Sequence, residues 1–126
     1  MIHGIGTDIV SIQRMRRMHA RFGQRLAERI LAPQELADYA HASHRESFLA
    51  KRFAAKEAFA KAAGTGMRGP VRFAAIHLTH DVLGRPGLAW GPELSAWLTR
   101  QGIRAAHLSL SDEQDYALAF VVLEKT

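Results

Sequence analysis

The sequence predicts an α+β fold in which residues 1–126 form a single domain, with a long helix packed on a small, mainly antiparallel sheet. Segments with helical periodicity follow one another in the first half of the chain, and pairs of β-prone segments around short turns occur in the second half. The length suits one domain with a buried core. We expect the element order β-α-α-α-β-β-α-β-β, without repeats or linkers.

The first predicted elements are a strand and a helix. Residues 2–10 combine Ile and Val with Gly4 and Gly6, which indicates a strand that lies close to another backbone. Ser11 is a good N-cap, and apolar residues then recur at three- and four-residue spacing. This pattern predicts a helix over 12–22.

Three further helical segments follow before the middle of the chain. Residues 26–31 either extend the preceding helix or form a short second one, and Pro33 is expected to open a helix over about 33–42. The strongest helical segment is Ser47–Ala63, which is rich in Ala, Leu, Lys and Glu and is stopped by Gly64.

The second half predicts two strand pairs separated by a helix. Turn residues and alternating apolar positions mark the strands, and Pro92 and Gly102 mark the two ends of the helix. The predicted elements are strands over 71–81 and 87–90, a helix over 92–101, and a hairpin of strands over 107–111 and 116–124.

The positive charge is concentrated at the start of the chain. The net charge is +5, and residues 1–30 contribute six arginines against two carboxylates, which is +4. Such a patch attracts a nucleic acid, an acidic protein or a phosphorylated ligand, or it is simply a solvated face. The six arginines are Arg14, Arg16, Arg17, Arg21, Arg25 and Arg29.

Composition excludes several classes of protein. With 48% hydrophobic and 23% charged residues, the chain is typical of a globular protein and not of a disordered one. Its longest apolar run, Ala117 to Leu123, is far shorter than the roughly twenty residues of a membrane helix. The chain has no cysteine and no secretory signal pattern at its start, so we expect a cytoplasmic protein.

The long helix and the first strand carry the candidate chemistry. Glu57 and Lys61 form an i,i+4 pair, which by itself would be only a weak helix contact. Asp8 at the end of the first strand, together with Glu57, is the kind of carboxylate set that holds Mg²⁺. Nearby basic residues and the glycine loop at 64–66 would complete a phosphate site, although no P-loop motif is present.

Histidine pairs invite a zinc interpretation, which the pattern disfavours. His77 and His80 lie three residues apart on a predicted strand and therefore face opposite sides. His41 and His44 could share a helix face, but no third ligand accompanies them.

A polar row is predicted on the first strand of the final hairpin. His107, Ser109 and Ser111 share one face, which either lines a cleft or faces solvent. Ser109, His107 and Asp112 have the residue types of a catalytic triad, but no nucleophile-elbow sequence supports one.

Three motifs in this order resemble the holo-acyl-carrier-protein synthase family, the short, trimeric branch of the 4′-phosphopantetheinyl transferases. They are Gly4-Ile-Gly-Thr-Asp-Ile-Val-Ser-Ile, Arg52-Phe-Ala-Ala-Lys-Glu-Ala-Phe-Ala-Lys-Ala with Gly64-Thr-Gly-Met behind it, and His107-Leu-Ser-Leu-Ser-Asp followed by an apolar strand. The resemblance extends over essentially the whole chain. Only the position before Pro33 departs from it, since Ala32 stands where a capping Ser or Asp is expected.

The resemblance implies a Mg²⁺-dependent transfer of 4′-phosphopantetheine from coenzyme A to a serine of an apo-acyl-carrier protein, in support of fatty acid biosynthesis. Asp8 and Glu57 match the metal ligands, and Lys61 matches a lysine beside the coenzyme pyrophosphate. Lys56 is added as a second candidate for a phosphate contact. The remaining coenzyme-binding candidates are Arg52, Lys56, Gly64, Thr65, Gly66, His107 and Ser109.

The resemblance also implies partners. Family members are homotrimers with active sites between subunits, and they bind an acidic carrier protein on the first helix. The matching residues here are Arg14, Met18, Arg21 and Arg25. The serine nucleophile belongs to the carrier, and its proton goes either to a water or hydroxide on the metal or to a carboxylate.

Two other classes compete with this hypothesis. A small nucleic-acid-binding module would use the same arginines, but it would need exposed stacking aromatics, and the patch offers only Phe22. A non-catalytic trimeric scaffold would bind no coenzyme. We therefore expect no nucleic-acid and no membrane partner.

Overall fold

The computed structural model describes all residues from Met1 to Thr126 and confirms an α+β fold. No cis peptide bond is present. The elements are β1 (Ile2–Ser11), α1 (Ile12–Phe22), α2 (Gln24–Ile30), α3 (Leu36–His41), α4 (Arg45–Ala63), β2 (Ile76–His80), β3 (Pro86–Trp90), α5 (Pro92–Arg100), β4 (Ile103–Asp112) and β5 (Tyr116–Lys125), with 3₁₀ turns at Pro33–Glu35 and Phe73–Ala75.

The strands form two antiparallel sheets. The larger sheet has the order β1-β5-β4, so the last strand of the chain is central and the first strand lies at its edge. The smaller sheet is the β2-β3 hairpin. Because β5 pairs on both sides, its alternating residues Ala117, Ala119, Val121 and Leu123 are fully buried against the helical layer.

Helix α4 is the centre of the molecule. It packs along β1 and β5, and its alanines are buried nearly without exception. One apolar cluster joins α4 to the sheets and α5, and a second joins it to α1, α2 and α3. Small side chains on α4 therefore let two layers approach the same helix from different sides.

Most predicted element boundaries are confirmed, and three differ for identifiable reasons. The strand expected over 107–111 begins already at Ile103, because its first residues pair with the end of β5. The expected helix over 33–42 begins as a 3₁₀ turn, where the Glu35 carboxylate accepts from the Ala32 N–H at 2.9 Å. This bond is the half of a capping box that a Glu three residues after the N-cap supplies, and the half that a Ser or Asp at position 32 would supply is missing. The expected strand over 71–81 starts only at Ile76. Before it, Phe73 turns to stack on Phe53 with ring centroids 5.5 Å apart.

No helix of the structure has both the length and the apolar character needed to cross a membrane.

Candidate active site

Two glycines place β1 directly on α4. Gly4 and Gly6 face the helix, and a β-carbon on either would collide with a backbone carbonyl oxygen, that of Ala62 or Ala58 respectively. Two strand residues advance about 6.8 Å and four helix residues about 6 Å, so the same-face positions of β1 stay in step with successive helical turns. Asp8 is the next same-face residue of β1, and its carboxylate contacts the Lys61 side chain of α4.

Asp8, Glu57 and Lys61 meet at this point. Lys61 Nζ lies 3.2 Å from Asp8 Oδ1 and donates to the Thr7 carbonyl oxygen at 2.9 Å. Glu57 lies one helical turn before Lys61 on the same face. The Asp8 side chain is 18% exposed and that of Lys61 is 54% exposed, so the group sits at the floor of an open surface.

The two carboxylates repel one another. Partial burial raises the pKa of Glu57 above its usual value, the negative charge of Asp8 raises it further, and Lys61 opposes both effects. Two ionised carboxylates beside one ammonium carry a net charge of −1, which favours a bound cation. The site is thus electrostatically unbalanced by itself.

This donor set fits magnesium better than zinc. Mg²⁺ uses oxygen ligands and is commonly held by one or two carboxylates, with waters and substrate phosphates filling the remaining positions. The structure contains no cluster of three or more His, Cys, Asp or Glu side chains suited to a metal ion, so the zinc interpretation of the histidine pairs gains no support.

The prediction that Lys56 contacts the coenzyme is wrong. Its side chain is fully buried, and Nζ donates to Glu35 Oε1 at 2.6 Å and to the carbonyl oxygens of Ile30 at 2.8 Å and Phe73 at 3.1 Å. An ammonium has three donors, and all are used. Although Lys56 directly precedes Glu57 in sequence, the helical rotation points it into the protein.

Two of the three amides in the predicted glycine loop at 64–66 are already paired within the chain. The N–H of Gly64 bonds back to the carbonyls of Ala60 and Lys61, and that of Gly66 bonds to Ala60. Both glycines have positive φ, 84° and 64°, and they close the C-terminus of α4. The Thr65 hydroxyl donates to the Gly66 carbonyl oxygen, so this segment serves first to end the helix.

Arg52 lies far around α4 from Glu57 and borders a different concavity. Its side chain is nearly buried, with the guanidinium 3.5 Å above the Phe48 ring and Nε 3.4 Å from Glu35 Oε2. The concavity, of about 240 Å³, is bounded by α4, the β2-β3 hairpin and the end of β4. Its lining includes Lys51, Arg52, His80 and Asp112.

His107 and Ser109 lie on a third surface. They project from the outer face of the larger sheet, opposite Val122 and Phe120 of β5, whereas Asp8 projects from the inner face of β1. His107 is paired with Glu124, which the sequence analysis did not single out. The predicted coenzyme contacts therefore do not converge within one chain.

The basic residues of α1 border an apolar groove. Arg14, Met18 and Arg21 line the outside of α1, and a groove of about 340 Å³ runs between α1, α2 and the stacked Phe53 and Phe73 rings. Met18 and Phe53 also line the smaller depression that contains Asp8, so the two concavities adjoin. The groove lining is Met18, Phe22, Arg25, Leu26, Arg29, Ile30, Phe53 and Phe73.

Sequence reasoning missed Phe53 and Phe73 as part of this surface. They are 20 residues apart in sequence and were assigned to a helix and a strand with no shared face. Their contact depends on the 3₁₀ turn at Phe73–Ala75, which no local pattern indicated.

On the outer face of the larger sheet, strands β1 and β5 expose a row of apolar side chains. Ile5 and Ile9 of β1 are each 60% exposed, Leu118 of β5 pairs with Ile9, and Phe120 pairs with Thr7 between the two isoleucines. The sequence singled out 117–123 as an apolar run, and the structure divides this run between the core and the outer face. An uncovered row of this kind indicates an interaction surface.

The fold and this site define a class of transferase. The model of the 4′-phosphopantetheinyl transferase superfamily matches residues 4–121, and the chain belongs to this family. Within it, the chain is 58% identical to a holo-[acyl-carrier-protein] synthase of Neisseria meningitidis, over 99% of this chain and 100% of that protein.

Solved structures agree with this assignment. The crystal structure of the Neisseria meningitidis synthase superposes with a TM-score of 0.97 at 58% identity, covering 99% of this chain and 100% of that one. A Bacillus anthracis holo-(acyl-carrier-protein) synthase in complex with CoA (3′,5′-ADP) gives 0.82 at 37% identity, covering 100% and 99%. The Helicobacter pylori enzyme in complex with coenzyme A also gives 0.82, at 30% identity, covering 95% and 99%.

Proposed function

We propose that this chain transfers 4′-phosphopantetheine from coenzyme A to a serine hydroxyl of an apo-acyl-carrier protein, in support of fatty acid biosynthesis. The observation that carries the proposal is the group of Asp8, Glu57 and Lys61, which the glycine contact between β1 and α4 assembles in a member of this transferase family. The serine oxygen forms a bond to the β-phosphorus and its proton passes to water, to hydroxide or to a carboxylate. The bond from that phosphorus to the bridging oxygen breaks, and adenosine 3′,5′-bisphosphate leaves.

The reaction places negative charge on phosphoryl oxygens. Asp8 and Glu57 would hold Mg²⁺, which supplies Lewis-acid stabilisation of the charge on the transferring group. The Lys61 side chain is exposed and its ammonium would reach the leaving phosphate, while the contact with Asp8 orients that ammonium. Removing one such preorganised contact typically costs about 3–4 kcal/mol of barrier.

The carrier would bind along α1 and the adjoining groove. Arg25 and Arg29 line the apolar groove, and three further arginines line the neighbouring depression on α1, namely Arg14, Arg17 and Arg21. This arrangement suits a helix that presents acidic residues around an apolar one. The groove adjoins the depression containing Asp8, so a serine near the end of such a helix would reach the phosphorus. The nucleophile then comes from the partner, which is consistent with a site that offers no nucleophile of its own.

The active enzyme would be a homotrimer. The candidates Asp8, Arg52 and His107 lie on three different surfaces of one chain, so a single coenzyme can meet all of them only if subunits share the site. The exposed apolar face around Ile9 and Phe120 supplies a surface for that contact. We further propose a cytoplasmic location, in keeping with a chain that has no cysteine.

Mass spectrometry of a carrier protein tests the function directly. The protein is mixed with coenzyme A, Mg²⁺ and an apo-acyl-carrier protein, and the carrier is then weighed. We expect a phosphopantetheine adduct that forms only with all components present. An unmodified carrier together with salt-sensitive binding of random DNA would replace the proposal by nucleic-acid binding.

A further inference from the structure

The buried ion pair of Glu35 and Lys56 has no place in the chemistry proposed above. Glu35 is 2% exposed and Lys56 is fully buried, an unusual state for either residue type. Burial lowers the pKa of Lys56, and the Glu35 charge opposes this. The pair therefore needs an explanation other than contact with a ligand.

The hydrogen bonds of this pair reach residues that line two separate recesses. Lys56 donates to the carbonyls of Ile30 and Phe73, which line the apolar groove beside α1. Glu35 Oε2 accepts from the Leu78 N–H at 3.0 Å and contacts Arg52, and these two residues line the concavity behind α4. One buried cluster thus fixes the walls of two separate recesses.

Stability alone is a weak reason to keep such a pair. Replacement of a buried ion pair by apolar residues of similar volume is often neutral or stabilising, because desolvation offsets the Coulomb attraction. What apolar side chains cannot supply is a fixed set of directional bonds to three different segments, the end of α2, the turn at Phe73 and strand β2.

We propose that Glu35 and Lys56 are positioning residues that hold two recesses in fixed relation on the two sides of α4: the groove proposed for the carrier, and the concavity lined by the coenzyme-binding candidate Arg52. This inference rests on the proposed function. The pair acts only through its neighbours: Phe73 and Ile30 present the groove, and Arg52 and Leu78 present the concavity. Loss of the pair lets these walls shift without moving Asp8 or Glu57, which β1 and α4 hold independently.

Steady-state kinetics of Glu35→Gln/Lys56→Met test the proposal. We expect KM for the carrier and KM for coenzyme A each to rise about tenfold, with a smaller change in kcat, because misplacement of binding walls weakens substrate positioning. The control is Leu98→Ala, which opens a cavity in the core beside α5 and touches neither recess. Assays are run well below the Tm of both variants.

Two results would overturn the proposal: both KM values within about twofold of the unaltered protein, or an equal rise in Leu98→Ala, which would make the effect one of stability. If the double variant does not fold, Glu35→Asp decides, since it keeps the charge and retracts it by one methylene. It should raise both KM values in the same direction, and unchanged values reject the proposal. Failure of the unaltered protein to modify the carrier would instead reject the proposed function.

Discussion

Lys61 Nζ lies 3.2 Å from Asp8 Oδ1, although 53 residues separate them in sequence. The contact exists because Gly4 and Gly6 let β1 lie against the backbone of α4, which aligns strand positions with helical turns. It brings one cation and two carboxylates to the same open floor, with Glu57 as the third member.

Asp8→Ala and Glu57→Ala should each abolish carrier modification in the presence of Mg²⁺. Each change removes one of the two carboxylates that would hold Mg²⁺, and the remaining carboxylate would bind the ion more weakly. Mass spectrometry of the carrier measures the product, and circular dichroism checks the fold. The matched control is Glu93→Gln, an exposed carboxylate on α5, which should leave the rate unchanged. Near-normal modification of the carrier by either alanine variant would contradict the assignment of Asp8 and Glu57 as Mg²⁺ ligands.

Glu57→Gln should raise the Tm measured without divalent cations at neutral pH. The raised pKa of Glu57 means that the folded protein binds its proton more tightly than the unfolded chain does. The contribution of this group to stability is therefore present below the unfolded pKa of about 4.3 and is lost as pH rises through the higher folded pKa. The increase in Tm should disappear at acidic pH. Mg²⁺ should raise the Tm of the unaltered protein more than that of the variant. A lower Tm for Glu57→Gln at neutral pH would contradict this electrostatic account.

Gly6→Ala should destabilise the fold by about 3 kcal/mol and reduce transfer. The new methyl group would collide with the Ala58 carbonyl oxygen and push β1 away from α4, carrying Asp8 with it. Chemical denaturation gives the free energy of unfolding. Gly91→Ala is the control, because that position has φ −72° and open space around it. Equal stability of the two variants would show that β1 can move without loss.

Arg14→Glu and Arg25→Glu should each raise KM for the carrier about tenfold at low salt, since charge complementarity at a rim mainly governs encounter. The difference should shrink as ionic strength increases, because salt screens exposed charges. Arg100→Glu, which changes the net charge equally at the end of α5, should leave KM unchanged. If KM for the carrier responds neither to charge reversal nor to salt, the carrier binds at another surface.

Phe120→Glu should convert the proposed trimer to monomers and abolish transfer. Its side chain is 41% exposed within the apolar face of the larger sheet, and a carboxylate there would be buried without a partner on assembly. Sedimentation or light scattering gives the mass. Val82→Glu, at a fully exposed position in the β2-β3 turn, should remain trimeric. A monomeric unaltered protein that is nevertheless active would reject the shared site.

The sequence predicted those features that depend on neighbouring residues. Periodicity and end signals predicted α1, α4 and α5 to within about two residues at each end, because caps and alternation act locally. The final hairpin was predicted as such, but its first strand begins at Ile103 and not at 107. The paired carboxylates Asp8 and Glu57 and the basic face of α1 were also identified before the structure, from residue type and from the family resemblance.

Only the tertiary structure decided which charged residues of α4 face a ligand. Glu57 and Lys56 are adjacent in sequence, yet the former reaches the open floor and the latter is bonded inside the protein. Charge surrounds α4 in sequence, so helical rotation alone could not choose between its sides. The choice was made by long-range partners: the glycines of β1 on one side and the buried carboxylate of Glu35 on the other.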